Sequence, residues 1–191
     1  MRIGFVGTHN SGKSTLVSEI EKRGLYARHT YFNDVTRSFN RTVIQNIDTQ
    51  MGIFDNLIRV ENTANNFISD RTVLDNYAYF GWFYKNVPIK QSYAELYKEY
   101  EVKFDQYMVL KPYDVVLFVD EYFPIEDDGT RDMDVEQQKW VFEALENIVP
   151  LKCEIYNIPY YYVHGSVNTR IDCVKHVLSK YYVQTRLPDF F

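Results

Sequence analysis

One contiguous octapeptide carries the clearest chemistry in this chain. Gly7-Thr8-His9-Asn10-Ser11-Gly12-Lys13-Ser14 fits G-x-x-x-x-G-K-[ST] without a mismatch, and Thr15 follows it. Glycines let such a loop curl so that successive backbone N–H groups converge on an anion. The helix expected to start at Lys13 aims its positive dipole end at the same point. Lys13 then reaches the β- and γ-phosphates of a nucleoside triphosphate, and the Ser14 hydroxyl takes a place on Mg²⁺. Gly7, Thr8, Asn10, Ser11, Gly12, Lys13, Ser14 and Thr15 are therefore the expected contacts to ATP and Mg²⁺. His9 sits inside the loop, and its side chain can turn away from phosphate towards an acceptor.

Other stretches place charge where it could act on phosphate. In "FISDRTVLDNYAYF" an apolar run ends at Asp70-Arg71, just before a helical pattern begins. In open α/β sheets, ligands bind beyond the carboxyl ends of the strands. An acid there holds Mg²⁺ through water or orients an attacking hydroxyl, and an arginine beside it grips a phosphate with two hydrogen bonds. The competing reading is a salt-bridged strand end. Asp120, which closes the apolar "VVLFVD", occupies a formally equivalent place. Two acids thus compete for one metal-linked role, and Asp70 is preferred because Arg71 accompanies it. "YFNDVTRSFNR" sets Asp34 three residues before Arg37, a spacing that an N-cap with a solvated helix face also explains. The aromatic segment Tyr77, Tyr79, Phe80, Trp82, Phe83 and Tyr84 reads mainly as core, with one or two rings available to frame a base.

Taken with the loop, Asp70-Arg71-Thr72 resembles an element of the P-loop small-molecule kinases. Deoxynucleoside and thymidylate kinases carry an acid-Arg-[Ser/Tyr/Trp-like] sequence at this strand end, and the spacing also resembles the nicotinamide-riboside kinase-like group and compact phage-encoded kinases. Thr72 departs from the commonest third residue. The resemblance implies that the Asp70 strand lies next to the phosphate-loop strand, with Asp70 as the Walker B-type acid. By order and spacing it implies that Asp34 meets the acceptor as general base and that Arg37 binds substrate. It implies that "IEDDGTRDMD", within the polar residues 122–134, is a lid with Gly129 as hinge and Arg131 acting on the transferring phosphoryl group. "HGSVNTR", residues 164–170, would border the adenine.

The activity so implied moves the γ-phosphoryl group of ATP, with Mg²⁺, to a hydroxyl or phosphate of a nucleoside or nucleotide. Its catalytic residues would be Lys13, Asp34, Asp70, Arg71 and Arg131. Substrate would meet His9, Asp34, Arg37 and Arg71, and metal would meet Ser14 and Asp70. Two alternatives stay open: a kinase of 5-hydroxymethyluracil bases within phage DNA, and a P-loop ATPase or switch without an organic acceptor. A guanine-specific Asn/Thr-Lys-x-Asp element is missing, which counts against a GTPase.

Positioning these residues calls for strands alternating with helices. Apolar patterning predicts strands at Ile3–Val6, Leu25–Phe32, Phe67–Asp70, Asp114–Asp120 and Pro159–His164. It predicts helices at Lys13–Arg23, Val35–Asn46, Gln50–Asn65, Leu74–Tyr84, Ser92–Met108, Val135–Val149 and Asn168–Tyr182. That order predicts the α/β class: a three-layer P-loop NTPase fold with a five-stranded parallel sheet and helices on both faces, in one domain over 1–191. At 191 residues and 46% hydrophobic content the chain can bury a real core. Its net charge of −5 argues weakly against broad duplex binding, while leaving DNA open as a substrate. Cys153 and Cys173 make no metal spacing and read as free thiols of a reduced compartment. With no secretory or membrane-spanning run in the sequence, the expectation is a cytoplasmic protein (the host cytoplasm, if phage-encoded), with pairing into an oligomer open.

Overall fold

The phosphate-loop pattern sits at the end of the central strand of a parallel sheet. In the computed structural model, residues 1–33, 47–86, 91–123 and 134–184 are described. β1 (Arg2–Val6) leads to α1 (Lys13–Lys22) and β2 (Thr30–Phe32); α2 (Ile47–Glu61), β3 (Phe67–Ser69), α3 (Val73–Asn86) and α4 (Gln91–Val109) follow. β4 (Val115–Phe118), α5 (Val135–Ile155), β5 (Tyr160–Tyr162) and α6 (Val167–Gln184) complete the order. The strands run in the order β2-β3-β1-β4-β5, every pair parallel. Gly4 of β1 stands opposite Ser69 of β3 and Val116 of β4.

Period-two alternation splits the strand residues between two cores. Ile3, Phe5, Ile68, Val115, Leu117 and Val119 face α1 and α6, where they meet Leu16, Ile20, Ile171 and Val174. Val6, Phe67, Val116 and Phe118 face the opposite way, onto Phe54, Leu74, Tyr100 and Val141 of α2 to α5. Each such side chain, fully buried, contributes about 1.5–3 kcal/mol. The three-layer expectation holds, and so does the reading of the aromatics as mainly core. Phe80 stacks on Tyr100 at 3.9 Å with rings 10° apart.

Three boundaries differ from the sequence reading. The second strand is only Thr30–Phe32. The residues before it form turns, with left-handed backbone at Gly24 and Tyr26, so Leu25 and Tyr26 reach the core from a turn. The helix expected from Gln50 starts at Ile47 and stops at Glu61. α5 does not stop before Pro150 but continues to Ile155. Proline removes one helical hydrogen bond, to the carbonyl of Glu146. Glu146 is on an exposed face, where water can take that carbonyl, and the buried Cys153 beyond it anchors the last turns. The helix expected at Val35–Asn46 lies outside the described residues.

α2 ends on a buried acid. Tyr107 Oη donates to Glu61 Oε2 at 2.7 Å and Tyr113 Oη to Oε1 at 2.9 Å. Burial raises the Glu61 carboxyl from its usual 4.5 to about 8, against the hydrogen bonds from Tyr107, Tyr113 and Ser69. The folded chain therefore keeps a proton that the unfolded chain has released. That contribution to stability is complete below pH 4.5 and is lost as pH rises towards 8. Glu61→Gln, neutral at every pH, is expected to remove this decline, which urea unfolding across that window measures directly.

Candidate functional site

The loop leaving β1 is shaped by what presses on it. A Cβ at Gly7 would lie 2.7 Å from Val119 O, and one at Gly12, where φ is +85°, would lie 2.8 Å from Arg170 Nη1. Both places admit only glycine. Gly12 caps α1 without a side-chain hydrogen bond, and no acid stands in the helix's first turn. The positive end of the helix dipole is thereby left to an outside anion. Lys13 is buried; its Nζ donates to Gly7 O, to Thr8 O at 2.8 Å and to Ser11 Oγ at 3.3 Å. Mg²⁺ keeps waters and substrate phosphates among its ligands and needs few from protein, so Ser14 with one carboxylate fits it. Among the described residues no group of three or more His, Cys, Asp or Glu side chains that could hold a metal ion converges.

α3 grips this loop. Thr72 and Asp75 form a reciprocal capping box: Asp75 Oδ2 accepts from Thr72 N at 2.9 Å and Thr72 Oγ1 at 2.8 Å, and Asp75 N donates to Thr72 Oγ1 at 3.4 Å. The other oxygen, Oδ1, accepts from Gly7 N at 2.9 Å. One carboxylate thus closes the start of α3 and fastens the start of the phosphate loop. Burial pushes the Asp75 carboxyl above its usual range, while Lys13, Arg71 and the N–H groups of Gly7 and Thr72 pull it down. One turn further, Tyr79 Oη accepts from His9 N at 3.2 Å and lies 2.6 Å from His9 Nδ1. Arg71 stands over the Tyr79 ring, 5.3 Å from its centre.

α5 and α6 hold the loop's remaining sides. Gln138, fully buried on α5, donates to His9 O at 3.0 Å and to Phe123 O at 2.7 Å. Asp134 caps that helix by accepting from Gln137 N at 2.8 Å. Arg170 of α6 donates to Ser11 O and Gly165 O, each at 2.8 Å, and pairs with Glu121. Burial works to raise the Glu121 carboxyl, but the Gly165 N–H and the Arg170 guanidinium outweigh it and hold it below its usual range.

The structure brings Lys13, Arg71 and the loop residues to one sheet edge. Asp70 is also there, 2% exposed at the end of β3. Its backbone N–H donates to Phe32 O at 2.9 Å, which joins the strand end to β2. Asp120 follows β4 on the other side of β1; its Oδ1 lies 3.5 Å from His164 Nδ1. Asp34, Arg37, Gly129 and Arg131 lie outside the described residues. The sequence reading missed Asp75 and Gln138 and left Tyr79 unresolved. Thr72-Val73-Leu74-Asp75 carried the readable signal, since [ST]-x-x-[DE] before an apolar run marks a capping box. Gln138 was visible only as a polar residue on the inward stripe of Val141, Leu145 and Val149.

A protein family described as "AAA domain" matches residues 2–170. The chain belongs to that family. No curated protein sequence matches the chain. Among solved structures, deoxyadenosine kinase from M. mycoides with bound dATP superposes with a TM-score of 0.67 at 19% identity, covering 94% of this chain and 100% of that one. The same enzyme with products dCMP and a flexible dCDP gives 0.67 at 18% identity, over 95% and 100%. With bound dCTP it gives 0.62 at 20% identity, over 94% and 100%. This AAA-domain chain therefore has the P-loop kinase fold, with the Asp70 strand directly beside the phosphate-loop strand. Among its described residues, no helix is long and apolar enough to cross a membrane.

Proposed function

We propose that this chain is a phosphotransferase that moves the γ-phosphoryl group of ATP to a hydroxyl or phosphate of a nucleoside- or nucleotide-type acceptor. The observation that carries the reading is the pairing of β1 with β3. It sets the Asp70-Arg71 strand end beside the phosphate loop, and Asp75 ties α3 to that loop through Gly7. ATP with Mg²⁺ would supply an activated phosphoryl group and a cation that draws charge from it. The turn from Gly12 to Thr15 binds phosphate oxygens through backbone N–H groups, with the Lys13 ammonium beside them. Ser14 and Asp70 would hold Mg²⁺, and Arg71 offsets charge on the phosphoryl oxygens. His9 faces the acceptor. Asp34 as base, Arg37 as acceptor ligand and Arg131 as a second cation enter on the kinase resemblance. Catalysis on this plan is positioning plus charge stabilisation.

The deoxynucleotides bound to the M. mycoides enzyme make deoxynucleosides the first acceptors to offer. Labelled ATP is presented with free nucleosides, with nucleotides, and with DNA containing 5-hydroxymethyluracil. Label on a free nucleoside or nucleotide is the expected result. Label on DNA alone moves the acceptor to the polymer, and ATP hydrolysis that no acceptor accelerates replaces the kinase with an ATPase. The same assay separates the two acids. Asp70→Asn is expected to lower kcat about a hundredfold and raise the Mg²⁺ requirement, with Asp120→Asn far milder. The reverse order would hand the metal-linked role to Asp120.

A further inference from the structure

α3 meets the phosphate loop twice, and the second meeting involves a side chain that can do chemistry. Asp75 takes the Gly7 N–H and Tyr79 takes the His9 N–H, at 2.9 and 3.2 Å. Four residues along a helix advance about 6 Å and two extended residues about 6.6 Å, so residues four apart on the helix match residues two apart on the loop. At the second meeting the phenol oxygen also lies 2.6 Å from His9 Nδ1. That oxygen accepts the backbone N–H and has one hydrogen of its own to give. His9 Nδ1 lies within reach of that hydrogen and accepts it when the ring is the Nε2–H tautomer. The phenol hydrogen then goes to Nδ1, and the neutral imidazole carries its own hydrogen on Nε2. The face of the same ring carries the Arg71 guanidinium, 5.3 Å from the ring centre.

We propose that Tyr79 is a positioning residue of the transfer site: its hydroxyl holds His9 as the Nε2–H tautomer, and its ring face carries Arg71. His9 is then a fixed N–H donor and not a base, suited to an oxygen of the phosphoryl group or of the acceptor. Tyr79 acts through these two neighbours. The proposal rests on the phosphotransferase reading for its kinetic consequences and on geometry alone for the tautomer.

Tyr79→Phe removes one oxygen and keeps the ring. In long-range ¹H–¹⁵N spectra of the full chain, the wild-type His9 ring is expected to show a bare Nδ1 and a protonated Nε2. In Tyr79→Phe it is expected to exchange between tautomers. With the substrate found above, kcat should fall about tenfold while KM for ATP changes by less than about twofold. Tyr79→Leu, which also removes the face under Arg71, should lose about tenfold more. In a His9→Ala background, Tyr79→Phe should cost much less than in the wild type, since only the bond to the backbone N–H of residue 9 is left to lose. Three results overturn the proposal: an unchanged His9 spectrum in Tyr79→Phe, equal losses from Phe and Leu that follow thermal stability, or additive losses with His9→Ala. Wild-type protein that transfers no phosphate overturns the functional reading instead, and the His9 spectra then decide the proposal.

Discussion

Lys13→Ala is expected to abolish phosphoryl transfer while leaving the fold nearly intact. The Lys13 ammonium is buried and donates to the carbonyls of Gly7 and Thr8 and to the Ser11 hydroxyl. It is held inside the curve of the loop, where phosphate oxygens would gather. Removing it takes a positive charge from a dry site, where one such donor is worth about a hundred- to a thousandfold in rate. The structural cost is small by comparison. Truncation to Ala leaves room for water where the side chain stood, and the freed carbonyls of Gly7 and Thr8 can bond to it, so the net loss is about 1–2 kcal/mol. The midpoint of thermal unfolding should then fall by roughly 2–8 °C. One neighbour responds: Asp75 loses a nearby cation, which tips its buried carboxyl further towards the protonated form. Steady-state transfer and a thermal scan on the same preparation test the prediction, and a variant with full activity would refute the assignment.

Asp75→Ala should be the most destabilising single change near the site. It strips the acceptor from three donors at once: Gly7 N, Thr72 N and Thr72 Oγ1. All lie in a buried region, where an abandoned donor is costly, and the loss of a helix cap adds to it. The sum is about 3 kcal/mol, or roughly 6–12 °C in unfolding midpoint for a chain of this size. KM for ATP should rise about tenfold because Gly7 loses its anchor. Asp75→Asn gives the finer test. Its amide has one acceptor oxygen and can serve the loop or the helix cap, but not both. Its stability should therefore fall between wild type and Asp75→Ala. An Asn variant as stable as wild type would show that one of the two attachments contributes nothing.

What could be read in the sequence was local. The phosphate loop is eight neighbouring residues whose pattern can be recognised without knowing what packs around them. The inner strands β1, β3 and β4 showed themselves because they are apolar on both faces, as Ile3 and Val6 are on β1. Leu25 to Phe32 misled because turn residues that reach a core carry the same apolar signal as a strand. Pro150 misled because a proline rule describes one lost hydrogen bond, and burial of the following turns outweighed it. Asp75, Tyr79, Gln138 and Arg170 were hard to assign for a different reason. Each acts on the loop across a long stretch of chain, 68 residues for Asp75 and 159 for Arg170. Periodicity shows which face of a helix is buried, but it does not show what that face will meet.

Those separations bear on the order in which the molecule assembles. The Ser11 carbonyl waits for Arg170, on α6, and the His9 carbonyl waits for Gln138. Non-local contacts of this kind close late, after the entropy of the intervening chain has been overcome. The phosphate-binding octapeptide would thus gain its final shape only when α6 docks. Nucleotide capture during refolding would report the final step of assembly, not the first.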